Sequence, residues 1–156
     1  MVDIKGGRVM AKNGRIIAVC LSAAKGVQKR DVIRGVLEED YGLVGDAHAA
    51  AGNHRQLSML DKSSADKMRA MGLDINSGDF AENLTTEGMD LYTLPIGTRL
   101  ETGGGVVMKV TQIGKECHKG CVISQQTGQC VMPTEGIFVR VIRGGTVKAG
   151  DSLKVS

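Results

Sequence analysis

The segment Val106-Val107-Met108-Lys109-Val110-Thr111-Gln112-Ile113 decides the fold. Extended, it puts Val106, Met108 and Val110 on one face and Val107, Lys109 and Thr111 on the other, the period-two pattern of a strand with one buried face. Gly103-Gly104-Gly105 supplies the turn before it. C-terminal to it, Ile137–Ile142 reads as another strand, turned at Gly144-Gly145 into Thr146–Val155. N-terminal to it, Ile16–Leu21 within 15–24 and Val32–Glu38 read as strands, the second ending at the turn Tyr41-Gly42. Leu94–Leu100 and Val147–Leu153 resemble each other, each with a glycine between an extended approach and a strand, as at the rim of a small barrel. One helix is expected over 61–71. Ser63-x-x-Asp66 resembles a capping box, Leu60, Ser64, Met68 and Met71 share a face, and Gly72 stands where a C-terminal cap belongs. So many short strands are best accommodated in a closed sheet, which leaves no exposed edges. The expectation is a mainly β protein, a closed β-barrel with one or two peripheral helices.

The chain has 156 residues, 20 Lys+Arg against 17 Asp+Glu, a net charge of +3 and 42% hydrophobic residues. That is one domain's length, with enough apolar content for a core and too little charge for a disordered chain. Residues 1–14, Gly-rich and polar, are expected to form a flexible segment ahead of a single domain over 15–156. The 22 glycines with only two prolines punctuate Val/Ile runs, as turns and bulges do. Aromatic residues make up 3% of the chain and tryptophan is absent. Base-stacking platforms are therefore scarce, and the small charge argues against binding a phosphate backbone, so no nucleic-acid partner is expected. No apolar run is long enough to span a membrane. Met1–Lys5 lacks the apolar run and cleavage site of a signal peptide, so the expectation is a cytoplasmic protein without membrane contact.

Chemistry concentrates in Gly114-Lys115-Glu116-Cys117-His118-Lys119-Gly120-Cys121, with Cys130 further on. Lys115, Lys119 and His118 would raise the thiolate fraction of Cys117 while Glu116 works the other way, and the glycines would let a ligand approach closely. The same residues admit a zinc site of Cys117, Cys121, Cys130 and His118, although the C-x3-C spacing departs from the usual C-x2-C pair. They also admit inert, buried thiols. Cys20, inside an apolar strand, reads as core. A second cluster, Gly45-Asp46-x-His48 with His54-Arg55-Gln56, reads either as a solvated loop or as a site for an anionic ligand, since arginine offers a planar fork to phosphate or carboxylate. Asp79 and Glu82 in Gly78–Leu84 read as a turn's own charges. Lys25-Gly26-Val27-Gln28-Lys29 lacks the ending of a phosphate loop.

Together these segments resemble the MOSC domains, named for the C-terminal domain of molybdenum-cofactor sulfurase. The resemblance rests on an ordered set: Lys25-Gly26-x-x-Lys29, Gly42-Leu43-x-Gly45-Asp46-x-His48, Arg55-Gln56, Gly78-Asp79-Phe80-x-Glu82-Asn83-Leu84, Pro95-x-Gly97, a cysteine loop, and Gly136-Ile137-Phe138-x-Arg140-Val141 to Gly150-Asp151. It runs from about Arg15 to Val155 and is closest to the small stand-alone bacterial members. It implies a barrel like the barrel domain of pyruvate kinase and a role in sulfur or molybdenum-cofactor handling. By motif position Cys117 is the thiol that accepts sulfur as a persulfide or ligates molybdenum. Cys121 and Cys130 are additions to the simpler pattern.

What the resemblance implies is a sulfur carrier or molybdenum-cofactor-binding protein supporting cofactor sulfuration or metal–sulfur cluster assembly, performing sulfur transfer rather than acting as an independent desulfurase. A cysteine desulfurase or other sulfur donor would be one partner. A molybdenum-cofactor pathway protein or molybdoenzyme acceptor would be the other. The cofactor is anionic, so Lys25, His48, His54, Arg55, Asn83, Lys115, His118 and Arg140 are the expected binding residues. Pyridoxal phosphate belongs to the family only through its desulfurase partner, and no glycine-flanked Schiff-base lysine supports it here. The alternative is a zinc-binding or redox-sensing barrel using Cys117, Cys121, Cys130 and His118.

Overall fold

A computed structural model describes residues 2–5, 8–11, 13–25, 27–114 and 135–156, with side chains from Asn13 onward. Chain order runs β1 (Val2–Lys5), β2 (Arg8–Ala11), β3 (Asn13–Leu21), β4 (Arg30–Asp31), β5 (Arg34–Glu38), β6 (Gly42–Leu43) and β7 (Leu57–Asp61). It continues through α1 (Lys62–Arg69), β8 (Leu84–Glu87), a 3-10 turn at Leu91–Thr93, β9 (Arg99–Thr102), β10 (Val107–Ile113), β11 (Ile137–Arg143), β12 (Gly145–Lys148) and β13 (Ser152–Val155).

The alternation that reads as a strand becomes the centre of a closed barrel. Its order is β13-β9-β10-β11-β7-β8-β3, closed by pairing of β13 with β3. Neighbours are antiparallel apart from β7 and β8, which run parallel, and α1 lies in the crossover such a pair requires. Met108 and Val110 point inward with Ile137, Val139, Val141, Leu57, Met59, Leu84 and Leu100, all buried in one cluster. A second cluster of Leu60, Ala65, Met68, Ile75 and Phe80 lies beneath α1. Thus β7 is covered on both faces and all five of its residues are buried.

A second sheet, β12-β5-β6, pairs Gly145–Lys148 with Arg34–Leu37. The expected strand Thr146–Val155 is therefore two: β12 belongs to the small sheet, β13 to the barrel, and the chain turns between them at Gly150, φ 98°. The expected helix is shorter, and its cap is Asp61 rather than Ser63. Asp61 Oδ2 accepts hydrogen bonds from the Ser63 amide (3.2 Å) and hydroxyl (2.8 Å). Met71 lies beyond the helix and is exposed. Residues 2–5 and 8–11 form an antiparallel hairpin, and the first barrel strand begins at Asn13. Among the described residues no helix is long and apolar enough to cross a membrane.

Candidate functional site

The outer face of β10 and β11 carries a row of cations. Since inward positions alternate with outward ones, Phe138 and Arg140 point outward between the buried Ile137, Val139 and Val141. Lys109 stands directly opposite Arg140, a like-charge pairing that weakens a sheet unless something negative meets it. A register shift between Val110 and Gln112 leaves Thr111 free to turn its hydroxyl onto the Phe138 carbonyl (3.1 Å) and the His54 carbonyl. This holds the 54–56 segment across the strands.

Arg55 lies over the Phe138 ring, 5.3 Å from its centroid, and donates through Nε to Gln112 Oε1 at 2.9 Å. His54 Nε2 meets the same oxygen at 2.9 Å, so that nitrogen carries the proton. Gln112 in turn donates to the Gly114 carbonyl at 2.8 Å. Gln56, fully buried, accepts from the Val141 amide at 3.0 Å and donates to Asp40 Oδ1 at 2.9 Å. Arg140 reaches that oxygen through Nε (3.1 Å) and Nη2 (2.5 Å). The hydrogen bonds from Arg140, then that from Gln56, hold the Asp40 carboxyl below the usual carboxylate range. His54, Arg55 and Arg140 thus share one continuous surface. Lys109 is exposed there with no carboxylate partner among the described residues.

A second constellation lies where β3 ends. Lys29 and Asp46 form an ion pair at 2.8 Å with both side chains fully buried. The ammonium also donates to Ser22 Oγ (2.9 Å) and lies 3.1 Å from His48 Nδ1. Asp46 accepts from the backbone amides of Ser22 (3.1 Å) and His48 (3.0 Å). Burial raises the Asp46 carboxyl's pKa, but the His48 ring 3.6 Å from Oδ2, the Lys29 hydrogen bond and these two amide bonds outweigh it and leave the group well below its ordinary range. Gly78, φ 89°, makes the approach: its carbonyl accepts the Lys29 amide at 2.9 Å, and a Cβ there would lie 2.2 Å from the Lys29 carbonyl oxygen.

Asn83 belongs to the fold's interior. Its Oδ1 accepts from the Ser58 amide (3.0 Å) and hydroxyl (3.3 Å), and its Nδ2 donates to the Cys20 carbonyl (3.0 Å). The side chain ties β3, β7 and the start of β8 together. Glu82, also buried, accepts from the Phe80 amide (3.2 Å) and Thr85 hydroxyl (2.9 Å), and burial pushes its carboxyl up. Cys20 is fully buried as expected, its thiol pushed up to about 12 by burial and then by Glu82. Lys25 is exposed in a turn. Lys115, Cys117, His118, Cys121 and Cys130 lie outside the described residues, and with them the thiol and zinc readings. Among the described residues no group of three or more His, Cys, Asp or Glu side chains is placed to hold a metal ion.

Sequence reasoning selected His48, His54, Arg55 and Arg140 but not Lys29, Asp46, Gln112, Asp40 or Gln56 as site residues. Asp46 carried a signal, standing two residues before His48 after a glycine. Gln56 stood in the Arg55-Gln56 motif without a role of its own, and Gln112 carried no signal, because their roles depend on strands far apart in sequence.

The closed seven-strand barrel, with a cationic outer stripe and a buried Lys–Asp pair beside a histidine, defines a β-barrel domain. The chain belongs to the MOSC domain family, whose profile matches residues 46–154. Among solved structures, the YUAD protein of Bacillus subtilis superposes with a TM-score of 0.78 at 21% identity, covering 92% of this chain and 95% of that one. YiiM of Escherichia coli gives 0.61 at 21% identity, over 91% of this chain and 69% of its own. YiiM of Geobacillus stearothermophilus gives 0.60 at 16% identity, over 92% and 73%. At these identities the likeness is one of fold. No curated protein matches the sequence.

Proposed function

We propose that this protein is a sulfur carrier of the molybdenum-cofactor pathway, with Cys117 as the sulfur-accepting thiol and the cationic stripe as the docking face for an anionic ligand. The MOSC family is associated with molybdenum-cofactor sulfurase-like function. The observation that carries the reading is the Lys109–Arg140 like-charge pair beside Arg55. Asp40 answers Arg140, Lys109 meets no carboxylate among the described residues, and an anion bridging the stripe would relieve the repulsion.

The donor chemistry fits the molybdenum cofactor, which carries a phosphate. Arg55 and Arg140 offer the guanidinium N–H groups not already given to Gln112 and Asp40, and Lys109 a point charge. When bound, the cofactor supplies a metal–sulfur centre; the chain's part is to hold it by these cations. Pyridoxal phosphate would need a free amine as well as a phosphate site, and Lys29 does not supply that amine. Lys29, which is buried, has its ammonium bonded to Ser22, Asp46 and His48, and so presents no free amine for a Schiff base.

In the sulfur step the Cys117 thiolate attacks the terminal sulfur of a donor persulfide, R–S–SH. A new S–S bond forms at Cys117, the donor's S–S bond breaks, and the donor leaves as R–S⁻, with no net oxidation. Lys115, Lys119 and His118, its sequence neighbours, favour the attacking thiolate. An acceptor thiolate or metal centre then removes the carried sulfur. Incubation with a cysteine desulfurase and radiolabelled cysteine tests the reading. Label should stay with the protein through gel filtration and leave on reduction; protein that emerges unlabelled contradicts it.

A further inference from the structure

The Lys29–Asp46–His48 cluster is not explained by the fold alone. A buried ion pair contributes little net stability compared with apolar residues of the same volume, because desolvating both charges costs about what their attraction returns. What this pair does that an apolar pair could not is dictate the state of the histidine.

An ammonium has three protons and no lone pair. Those of Lys29 go to Ser22 Oγ, Asp46 Oδ1 and His48 Nδ1, at 2.9, 2.8 and 3.1 Å. The contact with Nδ1 requires that nitrogen to be the bare acceptor, which puts the proton of the neutral ring on Nε2. Protonating Nδ1 would set its N–H against the ammonium, and its escape would be toward Asp46 Oδ2, 3.6 Å away. That oxygen already accepts the backbone amide of His48 at 3.0 Å. The ring is 35% exposed, and Nε2 has no protein partner among the described residues.

We propose that Lys29 is a positioning residue for His48, fixing its imidazole as the Nε2–H tautomer so that it presents a hydrogen-bond donor to an acceptor oxygen or sulfur of a bound anion. His48 then serves as a donor and not as a base at Nε2 for as long as Lys29 stays charged. The donation to a ligand rests on the proposed function; the tautomer does not.

The test is long-range ¹H–¹⁵N NMR of the full chain carrying ¹⁵N-histidine, with His48 assigned by substitution. The expected wild-type signature is a protonated Nε2 and a bare Nδ1, with a nuclear Overhauser contact from the Lys29 ammonium to His48 Hε1. In Lys29→Met the proton should move to Nδ1, drawn by Asp46. In Lys29→Gln, whose amide can still donate, the wild-type signature should return. A wild-type ring protonated at Nδ1, or lacking the ammonium contact, overturns the proposal even if Lys29→Met does not fold. So does a folded Lys29→Met with an unchanged signature. Loss of sulfur loading with the signature intact would defeat the proposed function and leave the positioning role standing. The reverse pattern would defeat only the positioning role.

Discussion

Lys29 Nζ and Asp46 Oδ1 meet at 2.8 Å with both side chains at zero exposure. Removing either partner leaves a buried charge without its counterpart, a loss of about 3–5 kcal/mol. Asp46→Leu and Lys29→Met should each lower the urea midpoint by a corresponding amount. The double variant should recover much of the loss. Single variants with wild-type midpoints would show that the pair is not buried in solution.

Acid should act through the same carboxyl. Asp46 is held below its ordinary range in the folded chain and titrates near pH 4 when unfolded, so the folded state binds fewer protons there. Its contribution is complete above about pH 5 and falls away as pH drops through 4 and below. Stability of the wild type minus that of Asp46→Asn, measured by urea titration, should shrink over that window. A constant difference would contradict the ion pair.

Asn83→Ala should cost about 2–4 kcal/mol, because the Ser58 amide and the Cys20 carbonyl each lose a buried partner. Binding of an anion at the outer stripe should survive where the variant remains folded. Loss of anion binding at unchanged stability would instead make Asn83 a ligand contact.

Cys20 should resist iodoacetamide in the folded protein. Its thiol is fully buried and pushed up to about 12, so thiolate is negligible at neutral pH. An unfolded thiol titrates near 8.5, so the unfolded chain gains as pH rises from there toward 12 and stability falls through that window. Peptide mapping after limiting alkylation should find Cys20 unmodified and Cys117 modified first. Early labelling of Cys20 would contradict its core position, and faster labelling of Cys121 or Cys130 would contradict the assignment of Cys117.

Arg55→Ala should weaken binding of inorganic phosphate about tenfold, the loss of one charge-assisted hydrogen bond. Lys109→Ala should weaken it too while changing stability by no more than about 0.5 kcal/mol, since the residue is exposed. Phosphate-induced NMR shifts on β10 and β11 would provide the measurement. Affinity unchanged in both variants would remove the stripe from the site.

The barrel was legible where one face is buried and the other wet. Val107–Ile113 shows the alternation because Lys109 meets solvent while Met108 and Val110 do not. Leu57–Asp61 hides it. Leu57 and Met59 face the barrel, Leu60 packs under α1, Ser58 serves Asn83 and Asp61 caps the helix, so no residue of this strand is exposed. Arg99–Thr102, short and half charged, has no alternation of its own and was legible only through the glycine turn before it. The candidate site was legible only as residue types, His48, His54, Arg55 and Arg140 among them. Lys29 was not, because a lysine in a basic loop looks solvated until Asp46, 17 positions away, folds against it.

The sulfur-carrier account stands or falls on Cys117. Intact-mass analysis and peptide mapping after incubation with a cysteine desulfurase and cysteine should find one added sulfur, on Cys117, that reduction removes and Cys117→Ala lacks. A protein that gains no sulfur, or a Cys117→Ala variant that loads as fully as the wild type, would contradict it.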